Sequence, residues 1–262
     1  MESVKNIKSP REELIAIHKR IYRKNQKKIL KTTLVESKEF KRYEKEYLSS
    51  CSDYKEVVKL NELYEEVLKK EIIYIGDYHT LNQSQRTLIR LLRDILPRNN
   101  KIILAMEVVM AKYQNVLDDY LESKIPDEIF VKRVNYVENW IFDTWPNFRP
   151  VFEFAKDNKI KVFGIDHQPR GSHKLKKRDK FFAKQVVKII HNYPDYKVIV
   201  LAGDLHVAPK HVPQEVKKIL TKSNCKKSDL IIYQNSGNIY WKLVEKKLEQ
   251  IADVVRVSDN SY

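Results

Sequence analysis

The spacing of hydrophobic positions along this chain changes near residue 70. Before that point, apolar residues recur at helical intervals among Lys and Glu, as with Leu14, Ile17 and Ile21 after Pro10. After it, short uninterrupted β-branched runs alternate with helical patterns. The sequence therefore predicts a helical extension over residues 1–70, an α/β domain over 71–245 and a C-terminal tail over 246–262.

Four of the β-branched runs predict buried strands, at 72–76, 101–106, 160–165 and 197–202. Their unbroken apolar character is typical of strands covered on both faces. Alternation with helices favours a mostly parallel sheet flanked by helices. A helical insertion is predicted over 126–158, and the Asn-Ser-Gly segment at 235–237 predicts a hairpin turn near the end of the domain.

Every predicted strand ends in an acidic residue, and three of the four ends add a histidine. The first and fourth strands end in the same Gly-Asp-x-His pattern, although the chain has only five glycines and seven histidines. Parallel strands place their carboxyl ends on one edge, where ligands bind in open α/β sheets. We therefore expect one crevice lined by the acids and histidines of the strand ends: Asp77, His79, Glu107, Asp166, His167, Asp204 and His206.

Two histidines and a carboxylate suit a metal site or acid–base chemistry. His79, Glu107 and His206 would be ligands for Zn, Mn or Fe, with Glu107 acting as a ligand or as a general base on water. A structural alternative stays open, because Asp77 and Asp204 also suit helix caps.

The chain carries a net charge of +15, which fits nucleic acid, anionic lipid or an anionic ligand. Lysine is scattered, and no aromatic-basic motif is present, which disfavours nucleic acid. No apolar run is long enough to span a membrane. The start of the chain has neither a secretory signal pattern nor a lipobox cysteine, so we expect a cytoplasmic protein.

Five segments resemble the ChaN-like family of the Tiki/TraB/erythromycin-esterase superfamily, from about residue 70 to about residue 215. They are YIGDYH, LAMEVVMAKYQNVLDDYL, WPNFRPVFEFAKDNKIKVFGIDHQPR, RDKFFAKQV and LAGDLHVAPKHVP. Asp77 stands where the family usually has Glu.

The resemblance implies haem or iron binding, and it also permits hydrolysis. Relatives in the superfamily are hydrolases that use the Gly-x-x-His histidines and a glutamate, in some cases with a divalent metal. The matching positions here are His79, Glu107 and His206, and Arg149 or Arg178 would stabilise an anion. The further ligand-binding candidates are Asp77, Tyr78, Tyr113, Gln114, Asp166, His167, Arg170 and Asp204.

Two hypotheses follow from the sequence. The first is a protein that binds haem or iron at the carboxyl ends of the strands; the second is a metal-dependent hydrolase. The expected cofactor is accordingly haem or a divalent metal, and the expected partner is haem or a small anionic ligand. A homodimer is left open.

Overall fold

The computed structural model describes residues 9–32, 37–79, 81–139, 144–167, 174–234 and 236–262, with the backbone alone at 25–32. The chain divides into two compact units, one ending at Lys38 and one beginning at Glu39. Residue 70 lies inside the second unit. No helix within the described ranges is both long and apolar enough to cross a membrane.

The first unit contains one long helix, α1 (Pro10–Thr32). Ser9 caps it reciprocally with Glu12: each backbone N–H donates to the other's side chain, at 2.8 and 3.3 Å. Pro10 occupies the first helical position, where its missing N–H costs nothing.

The second unit is built on a five-stranded parallel sheet, among the residues that the structure describes. Its spatial order is β4-β3-β5-β2-β6. The strands are β2 (Ile72–Asp77), β3 (Ile102–Met110), β4 (Lys161–Asp166), β5 (Lys197–Gly203) and β6 (Asp229–Ile232). This architecture confirms the predicted α/β class with a parallel sheet flanked by helices.

Helices cover both faces of the sheet because alternate strand residues point to opposite sides. Ile73 and Ile75 of β2 lie in one hydrophobic core, whereas Ile72 and Tyr74 lie in the other. The helices of the second unit are α2 (Lys38–Ser50), α3 (Leu60–Lys69), α4 (Asn82–Ile95), α5 (Gln114–Leu121), α6 (Asp127–Arg133), α7 (Tyr136–Asn139), α8 (Trp145–Asp157), α9 (Leu175–Asn192), α10 (Asp204–Val207), α11 (Val212–Lys222) and α12 (Gly237–Glu245), with a short 3₁₀ helix at Ala111–Tyr113.

The helical insertion between β3 and β4 packs through aromatic rings. Tyr120 stacks on Phe130 with ring centroids 4.4 Å apart, and Trp145 stacks on Phe152 at 5.6 Å. The rings cluster against α8 and secure the insertion beside the sheet. Trp140, a further aromatic of this segment, lies outside the described residues.

The two ends of the second unit meet in a small antiparallel sheet. Its strands are β1 (Glu56–Val58) and β7 (Val254–Arg256). The last residue, Tyr262, accepts a hydrogen bond from the Tyr233 backbone at 2.7 Å, which ties the C-terminal tail to the end of β6.

The hairpin predicted around residue 236 is wrong. β6 pairs in parallel with β2, and the chain then enters α12. Ser236 is the helix cap, and its side chain accepts a hydrogen bond from the Ile239 backbone. Ser236 and Gly237 of the predicted turn instead begin a helix, and Asn235 lies outside the described residues. Ile239, Leu243 and Val244 of the helix are buried at helical spacing.

Candidate functional site

The sheet order brings the acidic strand ends together at one edge. β5 lies between β3 and β2, and Asp77 pairs in register with Gly203. The exits of the two Gly-Asp-x-His segments are therefore neighbours. Glu107 approaches from the strand on the other side of β5, and β4 adds Asp166 beyond it.

Glu107 lies at the centre of this edge and is buried, with 4% of its surface exposed. One carboxylate oxygen accepts a hydrogen bond from Arg178 at 2.7 Å, and the other accepts one from the Gly203 backbone at 2.6 Å. The two histidines approach it from separate strands: the Nε2 atoms of His206 and His79 lie 3.7 and 3.9 Å from its oxygens. Burial raises the pKa of Glu107, but the charges of His206, Arg178 and His79 outweigh burial and hold that pKa well below its usual value.

Each of these histidines is oriented by an aspartate on its other ring nitrogen. His79 Nδ1 lies 2.5 Å from Asp77, which also accepts a hydrogen bond from Gln85 at 2.5 Å. His206 Nδ1 pairs in the same way with Asp179 of α9. An ionised carboxylate only accepts hydrogen bonds, so each Nδ1 carries a proton and each Nε2 is turned towards Glu107.

The charge of His206 is set by the acids around it. Burial lowers the pKa of its imidazole, but Glu107 and Asp179 outweigh burial and raise that pKa above its ordinary value. His206 is therefore favoured as an imidazolium facing a carboxylate.

Arg178 links the acids of two strands. Its guanidinium donates to Glu107 and, through Nε and Nη2, to Asp166. It also lies over the Phe182 ring, with the guanidinium carbon 5.4 Å from the ring centroid. Both carboxylates raise the pKa of Arg178 further, against the effect of burial, so a permanent cation is fixed between them.

Tyr43 of α2 belongs to the same network, and the sequence analysis missed it. Its hydroxyl donates to Asp179 at 2.8 Å, and its ring stacks on His211 with centroids 3.9 Å apart. His211 is held in turn by Glu46, 2.8 Å away. A segment before the sheet therefore supports the His206–Asp179 pair. The chain has 15 tyrosines, and nothing in the local sequence distinguishes this one.

Asp204 is close enough to Asp77 for the two side chains to interact electrostatically. Its Oδ1 atom is buried without a hydrogen-bond partner among the described residues. Burial and the nearby charge of Asp77 raise the pKa of Asp204 to about 7. A Cβ atom on Gly76 would lie 2.4 Å from this oxygen, so only glycine permits the approach. The Gly-Asp pairs of the two strand exits thus fit against each other.

A divalent metal finds no support in this arrangement. Within the described ranges, no group of three His, Cys, Asp or Glu side chains is placed to hold a metal ion. The Arg178 guanidinium already supplies positive charge to Glu107 and Asp166, and both Glu107 oxygens accept hydrogen bonds. His79, Glu107 and His206, which the sequence suggests as metal ligands, therefore already take part in hydrogen bonds and ion pairs.

Three other candidates make different contacts. Arg149 is half exposed and pairs with Asp127 and Glu153, at 2.6 and 2.9 Å. Gln114 bonds to the backbone of β4, donating to Val162 and accepting from Gly164. Tyr113 accepts a hydrogen bond from Asn135 at 3.1 Å.

Tyr78 and His167, two further candidates, follow the ends of β2 and β4. Tyr78 stands between Asp77 and His79 and is 39% exposed. His167 stacks on Phe181 with ring centroids 4.3 Å apart, and burial lowers the pKa of its imidazole. Arg170 lies outside the described residues.

Residues 63–178 match the family described as haem-binding uptake, Tiki superfamily, ChaN. This part of the chain is ChaN-like. The match confirms the resemblance inferred from the sequence, and it contains Asp77, His79, Glu107, Asp166 and Arg178. The His206–Asp179 pair and Tyr43 lie outside the matched residues.

Two solved structures are similar to this chain. One is entitled "Cofacial heme binding to ChaN of Campylobacter jejuni"; it is 16% identical, with a TM-score of 0.49, and the similarity covers 67% of this chain and 86% of that one. The other is the type III effector HopBA1, 15% identical with a TM-score of 0.45, covering 65% and 79%. No curated protein matches the chain.

Replacing Arg178 tests the buried ion pairs. Arg178→Gln leaves the carboxylates of Glu107 and Asp166 buried without their cation, so we expect a loss of about 3–5 kcal/mol in the free energy of unfolding, measured by urea denaturation. Arg149→Gln is the matched control, because Arg149 is half exposed in both of its ion pairs and a loss of about 1 kcal/mol or less is expected. Equal losses in the two variants would contradict the assigned network.

Proposed function

We propose that this ChaN-like chain binds haem at the carboxyl edge of its sheet. The observation that carries the proposal is the family match, because it covers the segment that supplies Asp77, His79, Glu107, Asp166 and Arg178. A buried network of ion pairs and hydrogen bonds of this kind holds in place the protein surface beneath a ligand at the edge, which we call the floor of the site.

Tyr78 is the residue we assign to the haem iron. Tyr78 as a residue is more than a third exposed at the exit of β2, whereas His79 and His206 are buried and turned towards Glu107. Tyrosine is an established axial ligand of ferric haem. The donor at the rim therefore fits haem without disturbing the ion pairs below it.

Exposed lysines at the start of α9 suit the propionates of the ligand. Lys174, Lys176 and Lys177 are exposed next to Arg178 in the chain. Arg178 itself is committed to Glu107 and Asp166. We therefore assign the propionates to the lysines, and we assign Arg178 to holding the floor of the site.

Hemin titration followed by the Soret band tests this assignment. The wild-type chain is expected to shift the Soret band at stoichiometric hemin. Tyr78→Phe removes the iron ligand and is expected to weaken binding by roughly tenfold, or about 1.4 kcal/mol. Tyr113→Phe removes a phenol that contacts Asn135 and should bind like the wild type. No spectral shift, or equal affinity for Tyr78→Phe and the wild type, would refute the assignment.

A metal-independent hydrolase is the second candidate, and one specific observation favours it. Two imidazoles, each oriented by an aspartate, face a single buried carboxylate. Aspartate-oriented imidazoles are general bases and acids in hydrolases. In this scheme His79 accepts on Nε2 a proton from the water that attacks the ester carbonyl carbon, and the imidazolium of His206 donates one to the alcohol oxygen as its bond to that carbon breaks.

Hydrolysis of ethyl acetate, whose alkoxide leaving group needs a proton as it departs, tests this candidate. Removing either proton-transfer group by His79→Gln or His206→Gln is expected to lower the rate by roughly a hundredfold or more. His191→Gln changes an exposed histidine of α9 and should leave the rate unchanged. A wild-type rate no higher than that of the two site variants would remove the hydrolase candidate without bearing on haem.

A further inference from the structure

The first unit has an exposed apolar stripe that the proposed function does not use. Leu14, Ile17 and Ile21 of α1 are 54%, 42% and 50% exposed. Their spacing of three and four residues places them on one face of the helix. Contiguous exposed apolar surface of this kind marks an interaction site.

The charge of α1 limits the kind of partner that the apolar stripe contacts. The helix sequence holds eight Lys or Arg residues against two Glu, and both acids lie in the first turn. Arg20, Arg23 and Lys24 are exposed around the stripe. Beyond Glu13, every charged residue in the sequence of α1 is therefore Lys or Arg, and this composition complements an anionic partner.

The continuation of the stripe argues against a second copy of this chain. At helical spacing, the positions that follow Ile21 on the same face are residues 24 and 28, which are both lysine. Two copies of this helix paired in parallel would bring these like charges together. Nucleic acid is also disfavoured, because a phosphate backbone leaves Leu14, Ile17 and Ile21 in water.

We propose that α1 is an interfacial helix that docks the protein on the surface of an anionic lipid bilayer. The apolar stripe enters the boundary between headgroups and acyl chains, and the lysines and arginines contact the lipid anions. This role requires no membrane span, and it is independent of what the sheet edge binds.

Co-sedimentation of the full chain with lipid vesicles tests the proposal. We expect binding to vesicles of phosphatidylcholine with phosphatidylserine, weaker binding as salt is raised, and little binding to phosphatidylcholine alone. The combined variant Leu14→Gln, Ile17→Gln, Ile21→Gln should lose roughly tenfold in affinity. A matched control replaces three exposed apolar residues of the second unit, Ile129→Gln, Val137→Gln and Ile251→Gln, and should bind like the wild type.

Three results would overturn the proposal. One is a stripe variant that binds phosphatidylserine vesicles as well as the wild type does. Another is wild-type binding that is absent or independent of phosphatidylserine. The third is a wild-type dimer, seen by light scattering, that the stripe variant converts to a monomer while neither protein binds vesicles. Circular dichroism verifies that each variant is folded.

Discussion

The structure depends on one buried anion, the carboxylate of Glu107. An isolated carboxylate at this depth would be neutralised, because burial disfavours its charge. Arg178 and the Gly203 backbone donate to it directly, and His79 and His206 add positive potential from two further strand ends. The arginine and the two histidines are each held by a further acid, which is Asp166, Asp77 and Asp179 respectively. The charged groups at the edge therefore form a closed network in which removing one member leaves another unpaired.

The parallel sheet makes this network possible, and its strand order determines which residues join it. The Gly-Asp-x-His segments, distant in sequence, become neighbours because β2 and β5 pair in register. β5 separates β2 from β3, so the Gly203 backbone is the nearest donor to Glu107 from the adjacent strand. The close fit of Gly76 against Asp204 then explains why a glycine precedes the acid at the first exit.

Much of the parallel sheet and of its acidic edge could be predicted from the sequence. Uninterrupted apolar runs followed by acids indicate parallel strands whose ends share one edge. The strand bounds agree within a few residues, apart from β3, which continues through Met110. The prediction of a C-terminal hairpin was wrong because Ser-Gly suits a turn and a helix start equally. The helical spacing of Ile239 and Leu243, which are buried on one face of α12, favours the helix. The contacts of Gln114 with β4 and of Tyr43 with Asp179 are long-range side-chain bonds, and no local pattern encodes them.

The protonation of His206 is the most direct test of the buried anion, because Glu107 is the largest of the charges that raise the pKa of its imidazole against burial. Nitrogen-15 NMR of the imidazole, followed as pH is raised, reports its protonation. We expect His206 to remain an imidazolium at pH values above 6.5, the ordinary pKa of histidine. Glu107→Gln is expected to move the titration midpoint of His206 to lower pH. A midpoint at or below 6.5 in the wild type, or one unmoved by Glu107→Gln, would contradict it.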